Sequence, residues 1–191
     1  MFTPTPDPVN AAPAAFRQAV ESLGRVEPRP GVESERLRAP QRLAPWSHAL
    51  GARLRGDDAE TVTARLVLLH DPDGQEAWDG VLRLVVYVRA ELEVEFAGDP
   101  MLPAVGWSWL TEALQSAGAR TTALGGTVTQ TSSARFGDIA GPERTDDMEL
   151  RASWTPLDAD LQHHAEAFYE LVATTAGLPP VGVTVLGRRH G

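Results

Sequence analysis

Several residue groups have the types and spacing that catalysis could use. Ser108 lies in Gly106-Trp107-Ser108-Trp109, which resembles the start of the Gly-x-Ser-x-Gly motif around a nucleophilic serine. Residue 110 is Leu, so the second glycine of that motif is missing, and the sequence implies no adjacent general base. We therefore interpret Ser108 as a structural residue near the beginning of a helix.

Histidines beside carboxylates are the other candidates. His163, Glu166 and Glu170 have the spacing i, i+3 and i+7, so on a helix they would share a polar face that could bind a metal ion. His70 and Asp71 are neighbours, but adjacent residues of a strand point to opposite faces, which disfavours a catalytic pair. Because exposed carboxylates and histidines are common on helices, we predict no catalytic residue, no metal site and no cofactor.

The strands that would position these residues follow from alternating apolar and polar side chains. Residues 62–68 and 82–92 alternate with period two, which indicates strands with one covered and one polar face. Asp71-Pro72-Asp73-Gly74, between them, is typical of a turn. Residues 121–135 and 148–154 also have strand character, and Gly125-Gly126 within the first of these predicts a bulge or a close backbone approach.

Helices are predicted where apolar residues recur with helical spacing. Such stripes occur in residues 13–23 and 104–117, and after Thr155-Pro156-Leu157-Asp158, which has the composition of a helix start. Pro45 could begin a short helix through Arg55, and residues 32–38 could form a short edge strand. The pattern predicts an α+β two-layer sandwich, with an antiparallel sheet of four to five strands, helices on one face, and a ββα unit that occurs twice.

The predicted domain organisation is simple. We expect residues 1–12 to be a disordered N-terminus and residues 13–186 to form a single α+β domain, followed by a tail, 187–191. Within the domain, residues 25–55 are an Arg- and Pro-rich connector that carries the short helix. That segment has a charge balance of +4, whereas the whole chain has a net charge of −9. We expect it to pack against the acidic remainder of the chain.

Composition excludes some classes of function. The chain of 191 residues has no cysteine, which excludes disulfides and thiolate chemistry. No run approaches the roughly 18 apolar residues of a membrane helix. The N-terminus lacks the pattern of a secretion signal. We therefore expect a cytoplasmic protein without a membrane partner.

The polar face of the predicted sheet is the most informative candidate surface. Its mixed charges could form a solvated cross-strand ladder, or its arginines could bind an anionic ligand or an acidic partner segment. Single-stranded RNA would also need stacking aromatic side chains, and only Tyr87 is evident. Apart from this face, one ring of the tryptophan pair at the start of the predicted helix could stay exposed and mark a contact site. The candidate binding residues are Arg65, Arg83, Tyr87, Arg89, Arg151, Trp107 and Trp109.

Several strings resemble one known family of actinobacterial proteins. They are residues 39–45 (APQRLAP), 68–78 (LLHDPDGQEAW), 87–93 (YVRAELE), 105–114 (VGWSWLTEAL), 151–156 (RASWTP) and 176–180 (AGLPP). The chain resembles, over about residues 14–189, the family catalogued as domain of unknown function 3000. The resemblance supplies no activity and no catalytic residue. Relatives encoded near a ribonuclease D-like protein imply at most a link to RNA metabolism.

Three hypotheses about function follow. The first, which we prefer, is a non-enzymatic cytosolic binding or adaptor protein, or a chaperone-like one, that uses the polar, arginine-bearing sheet face to bind an unknown protein partner or a second copy of itself. The second is an RNA-associated factor that uses residues 25–55 and the sheet face. The third is an enzyme for a small anionic substrate, with Arg89, Arg151, His70 or His163 in its site.

Overall fold

A single antiparallel sheet organises the described part of the chain. The computed structural model describes residues 12–55, 60–139, 141–142 and 144–179. The strands are β1 (Glu33–Leu37), β2 (Trp46–Arg55), β3 (Glu60–Gln75), β4 (Gly80–Glu91), β5 (Thr121–Ala134) and β6 (Arg144–Pro156). The helices are α1 (Ala14–Gly24), α2 (Leu102–Ser116) and α3 (Gln162–Thr175), with one 3-10 turn at Glu76–Trp78. The strands pair in the order β1-β2-β3-β4-β6-β5.

The α+β class is confirmed, but the predicted number of four to five strands was wrong, because this sheet has six. The predicted short helix from Pro45 is strand β2. Trp46, Leu50 and Leu54 are spaced by four residues, and a spacing of four fits both a helical stripe and one face of a strand. Their partners in β3 lie on the helix-covered face of the sheet. The short edge strand predicted at residues 32–38 is confirmed as β1.

The predicted twofold ββα unit is only partly right. Strands β3 and β4 precede α2, and β5 and β6 precede α3, but β1 and β2 extend the first unit to four strands. Helix α2 also carries the chain past β6 to the sheet edge, since β6 returns between β4 and β5.

The core lies between the helices and one face of the sheet. The face predicted from alternation in β3 and β4 is the buried one, and Leu84, Val86 and Val88 are at most 1 % exposed. Helix α3 packs on β2, β3 and β4, and α2 packs on α3 and β5. Burial of each large apolar side chain contributes roughly 1.5–3 kcal/mol, so this layer is the main stabilising term.

Helix α3 begins later than Thr155-Pro156-Leu157-Asp158 predicts. Thr155 is not a cap, because its hydroxyl donates a hydrogen bond to the carbonyl of Trp78. The helix begins at Gln162, where the Ser22 hydroxyl of α1 accepts a hydrogen bond from the backbone N–H of Leu161 at 2.8 Å. The Asp160 carboxylate also accepts a hydrogen bond from the backbone N–H of Gln162 at 2.9 Å, so the helix start combines a local partner with one from another helix.

The β3–β4 hairpin reverses after the predicted turn. Asp71 accepts a hydrogen bond from the backbone N–H of Asp73, and Gly74 has a φ of +72°, as the turn chemistry requires. These residues nevertheless extend β3 irregularly to Gln75, and the 3-10 turn makes the reversal before Gly80. Trp78 in that turn is therefore placed against the sheet face opposite the helices.

The basic connector packs within the chain, as expected. Arg25 forms an ion pair with Asp160, and Arg29 lies 3.7 Å from Glu170 of α3. Of the predicted disordered N-terminus, residues 1–12, all but the last residue lie outside the described residues, and the predicted tail, residues 187–191, lies outside them entirely. Ala12, the last residue of the predicted disordered segment, is buried.

Candidate binding surfaces

Most charges on the open sheet face are paired with one another, either between neighbouring strands or along one strand. Arg89 lies 3.0 Å from Asp147, and Arg151 lies 2.8 Å from Glu149. The Tyr87 hydroxyl donates to Glu149 at 3.0 Å, and the Arg151 guanidinium lies 5.5 Å from the Tyr87 ring centroid. The hydrogen bond to Asp147 raises the pKa of Arg89, and burial followed by Glu149 raises the pKa of Tyr87. These groups are satisfied by one another.

Two arginines of this face have no carboxylate partner among the described residues. Arg83 donates to the hydroxyls of Ser153 and Thr155, and burial lowers its pKa. Arg65 is exposed and forms no hydrogen bond or ion pair within the described part of the chain. Of the predicted face residues, Arg65 is therefore the one best placed to bind an anion from outside.

A concavity of about 390 Å³ lies beside Arg65. Gly51 lies in its lining together with Tyr87 and Glu35. A Cβ at Gly51 would lie 3.0 Å from the Leu37 side chain, so the absence of a side chain lets Leu37 lie over the strand. The concavity presents both signs of charge.

One end of the open face is apolar, which alternation in the sequence did not predict. Ala49, Val67, Leu69 and Trp78 form a second buried cluster there, and Ala44 from the β1–β2 loop packs against it. The unbroken apolar run at residues 66–69 was the available signal, since such runs are typical of strands covered on both faces. The β1–β2 loop therefore covers part of the face that we predicted to be polar.

The tryptophan pair lies on α2, where the sequence placed it. A Cβ at Gly106 would lie 3.1 Å from the Met148 sulfur, so this glycine lets the helix approach the sheet closely. Trp107 and Trp109 are partly buried against the core. The Ser108 hydroxyl donates to the carbonyl of Val105 within the helix at 2.8 Å. Ser108 thus has the structural environment that we expected.

A second and larger concavity, a groove of about 710 Å³, lies beside Trp109. Its lining is mostly apolar and comes from distant segments: the ends of β3 and β4, the loop after β4, α2, and the end of α3. Val94 and Phe96 on the loop are 80 % and 51 % exposed. The sequence pattern indicates Trp109 but not the groove, because the loop after β4 has no periodic pattern.

The groove is bordered by carboxylates. Glu91, Glu93 and Asp99 line it, and Glu95 belongs to the same loop. No arginine is among the lining residues. The Asp99 carboxylate accepts a hydrogen bond from the backbone N–H of Met101, and none of the four forms an ion pair within the described residues. The groove therefore combines an apolar floor with a negative border.

The histidines do not form a joint site. Nδ1 of His163 lies 3.2 Å from Glu166, while Glu170 pairs with Arg29. His70 is buried on the helix-covered face, where its ring stacks on Phe16. No group of three potential metal ligands occurs in the segments that the structure describes.

The fold and these surfaces can be compared with known proteins. No helix within the described ranges combines the length and apolar character needed to cross a membrane. Neither a curated protein nor a solved structure gives a significant match to this chain. Residues 12–184 match the family described as "Protein of unknown function (DUF3000)". Because the match covers most of the sequence, the chain belongs to this family, as the strings around Trp109 and Trp154 indicated.

Proposed function

We propose that this protein is a non-enzymatic binding or adaptor protein, chaperone-like in that it holds a segment of another protein in the groove beside Trp109. The observation that carries the proposal is the groove itself, with about 710 Å³ of space and a mostly apolar lining. Ligand sites are typically the largest apolar concavity of a protein.

The exposed side chains at the groove support a protein ligand. Val94, Phe96 and Met101 are all at least half exposed, and they cluster around one short loop. Contiguous exposed apolar residues with a polar border are typical of protein–protein contact sites. Trp109 adds an amphipathic ring of the kind enriched in such contacts.

The border indicates the charge of the ligand. Four carboxylates occur between residues 91 and 99, and no arginine lines the groove. A segment with apolar side chains and flanking Arg or Lys would therefore be attracted, whereas an acidic segment would be repelled. The negative charge of the whole chain favours the same partner.

A second candidate is binding of an acidic segment at the open sheet face. Arg65 supports it, because this exposed guanidinium has no carboxylate partner among the described residues and borders a concavity. Arg83 is next in order, although its guanidinium already donates to two hydroxyls. Arg89 and Arg151 are neutralised by ion pairs and would contribute less.

The RNA and enzyme hypotheses have less support. A base that stacks on Tyr87 would have to displace Arg151, which lies over the ring. The residues suggested for an enzyme are dispersed, because His70 lies on the helix-covered face while Arg89 and Arg151 lie on the open face.

The test is calorimetric titration with a synthetic amphipathic peptide of Leu and Arg. We expect it to bind, and we expect a Leu/Glu peptide of the same pattern to fail. Val105→Arg places a cation in the groove and should weaken binding at least about tenfold, which is a change of 1.4 kcal/mol. Ala104→Arg is the matched control, because Ala104 is exposed on the same helix but does not line the groove.

Charge-matched variants separate the groove from the overall acidity of the protein. Glu91→Gln with Glu93→Gln should weaken binding, whereas Glu21→Gln with Glu76→Gln, exposed elsewhere, should leave the affinity unchanged. Equal affinity for all variants, or equal binding of the Leu/Glu peptide, would contradict the proposal.

A further inference from the structure

The two edges of the sheet differ in how they are protected against pairing. The β1 edge has five residues, and Glu33, Glu35 and Arg36 give it charge at three of them. The β5 edge has 14 residues, Thr121–Ala134, without a single Asp, Glu, Arg, Lys or Pro. Short length and charge are how soluble proteins prevent edge strands from pairing with other chains. β1 has both forms of protection, and β5 has neither.

The free side of β5 is regular over most of its length. A bulge between Thr122 and Gly125 interrupts the ladder with β6, but pairing continues without a break from Gly125 to Ala134. No other strand of the described residues pairs with the outer side of β5. Within the described residues, its outward N–H and C=O groups therefore have no strand partner and form a template for a further strand.

We propose that β5 pairs antiparallel with β5 of a second copy of this chain and joins the two sheets into one. A twofold axis makes such an interface self-complementary, because β5 of each copy pairs with the same strand of the other copy running in the opposite direction. A charged strand would place like charges close together in some registers, but β5 has no charged side chain. This neutrality matters because each copy brings a net charge of −9.

Apolar side chains beyond the two ends of β5 support a second copy over an unrelated peptide. Phe136 and Ile139, after the C-terminal end of the strand, are 81 % and 65 % exposed. Leu157, 55 % exposed, lies at the other end, where its backbone N–H donates to the carbonyl of Arg120. Antiparallel twofold pairing brings the C-terminal end of one β5 to the N-terminal end of the other. It thereby brings Phe136 and Ile139 of one copy towards Leu157 of the second.

The first measurement is the mass in solution by sedimentation equilibrium over a concentration series. We expect a mass that rises to twice the chain mass of 20.6 kDa. The double variant Thr129→Lys and Thr131→Lys should reduce that mass twofold, because it places cations on the edge. Both positions are exposed, and they face Glu149 and Asp147 of β6, so the fold should tolerate lysine. Ser34→Lys with Gln18→Lys changes the net charge equally at exposed positions elsewhere and should remain dimeric.

Hydrogen exchange identifies the edge that is used. Amides of residues 125–134 alternate between bonding to β6 and pointing outward, so in the dimer both sets should be protected. The outward set should lose protection in the Thr129→Lys and Thr131→Lys variant. A monomer at every concentration would overturn the proposal, whether the outward amides exchange freely or are protected by another part of the chain. A dimer that the lysines do not disrupt would also overturn it.

Discussion

The indole Nε1–H of Trp154 donates a hydrogen bond to Nδ1 of His164 at 3.1 Å inside the core. An indole nitrogen can only donate, so Nδ1 must be the unprotonated nitrogen of the imidazole. Both side chains are 1 % exposed, and burial lowers the pKa of His164 to about 4. This pair joins β6 to α3 only while the histidine is neutral.

The stability of the protein should therefore decrease in mild acid. An unfolded histidine takes up a proton below its ordinary pKa of 6.5, whereas folded His164 does so only near pH 4. Its contribution is complete above pH 6.5 and is lost as the pH falls to 4, by about 3 kcal/mol. His48, whose pKa is lowered to about 4 by burial and then by Arg36, should add to the decrease.

Urea unfolding at a series of pH values measures this effect. His164→Gln keeps a group that can accept the Trp154 hydrogen bond but does not titrate, so the decrease between pH 6.5 and 4 should become smaller. His163→Gln, which changes the neighbouring exposed imidazole, is the control and should leave the decrease in place. The same pH slope in wild type and His164→Gln would show that the pair does not act in this way.

Substitution by aspartate should affect stability very differently on the two faces of the sheet. Val86→Asp places a carboxylate in the core at a position that is 1 % exposed, and should cost more than about 4 kcal/mol or unfold the protein. Arg65→Asp is on the open face, where the side chain is exposed, and should change stability by less than about 0.5 kcal/mol. Thermal unfolding followed by circular dichroism compares them, and equal tolerance would refute the assignment.

Alanine substitution of the two neighbouring glycines of β5, Gly125 and Gly126, should lower stability by very different amounts. A Cβ at Gly126 would overlap with the carbonyl oxygen of Arg151 and would lie 2.8 Å from Ala152, and both obstacles are on strand β6. Gly126→Ala should therefore cost roughly 1–3 kcal/mol as the strands are forced apart. Gly125→Ala is the matched control, because a Cβ there meets nothing within 4 Å. Chemical denaturation of both variants measures the difference. Equal denaturation midpoints would contradict the close approach of β6 to Gly126.

The Ser22 hydroxyl should be a stability determinant although it is remote in sequence from the helix that it caps. It accepts the N–H of Leu161 and donates to the carbonyl of Ala19, and the residue is fully buried. Ser22→Ala leaves a buried N–H without a partner and should cost about 1–2 kcal/mol in urea unfolding. Ser108→Ala removes a bond within one helix turn and should cost less than about 0.5 kcal/mol. If Ser22→Ala lowers the free energy of unfolding by no more than Ser108→Ala does, the result would argue against the role of Ser22 at the start of α3.

The sequence predicted those parts of the fold that one periodic segment determines alone. The stripe predicted after Thr155-Pro156-Leu157-Asp158 was recognisable because a helix repeats apolar residues at a fixed spacing. Its members Leu161, Ala165, Phe168 and Val172 are all at most 2 % exposed. The contribution of Ser22 to the start of α3 was not predictable, because Ser22 lies 139 residues from Leu161. The identity of β2 was ambiguous, because a spacing of four fits both secondary structures.

For the candidate sites too, features of one local segment could be predicted from the sequence, whereas features that depend on distant segments could not. Arg65 and Trp109 were recognised from residue type and local pattern, and both lie at concavities. The groove depends on how the loop after β4 meets the end of α3, which no local pattern encodes. The carboxylate partner of Arg89 depends on the β4–β6 register, and that register is set by a strand more than 50 residues away.

The indole resonances of the tryptophans offer the most direct test of the proposed groove. In a ¹H–¹⁵N correlation spectrum each indole N–H gives its own signal, so Trp109 reports on the groove and Trp78 on the open sheet face. Adding the Leu/Arg peptide should shift the Trp109 signal in proportion to occupancy and leave the Trp78 signal in place. A shift of Trp78 with Trp109 unchanged would contradict the account and move the binding site to the open face.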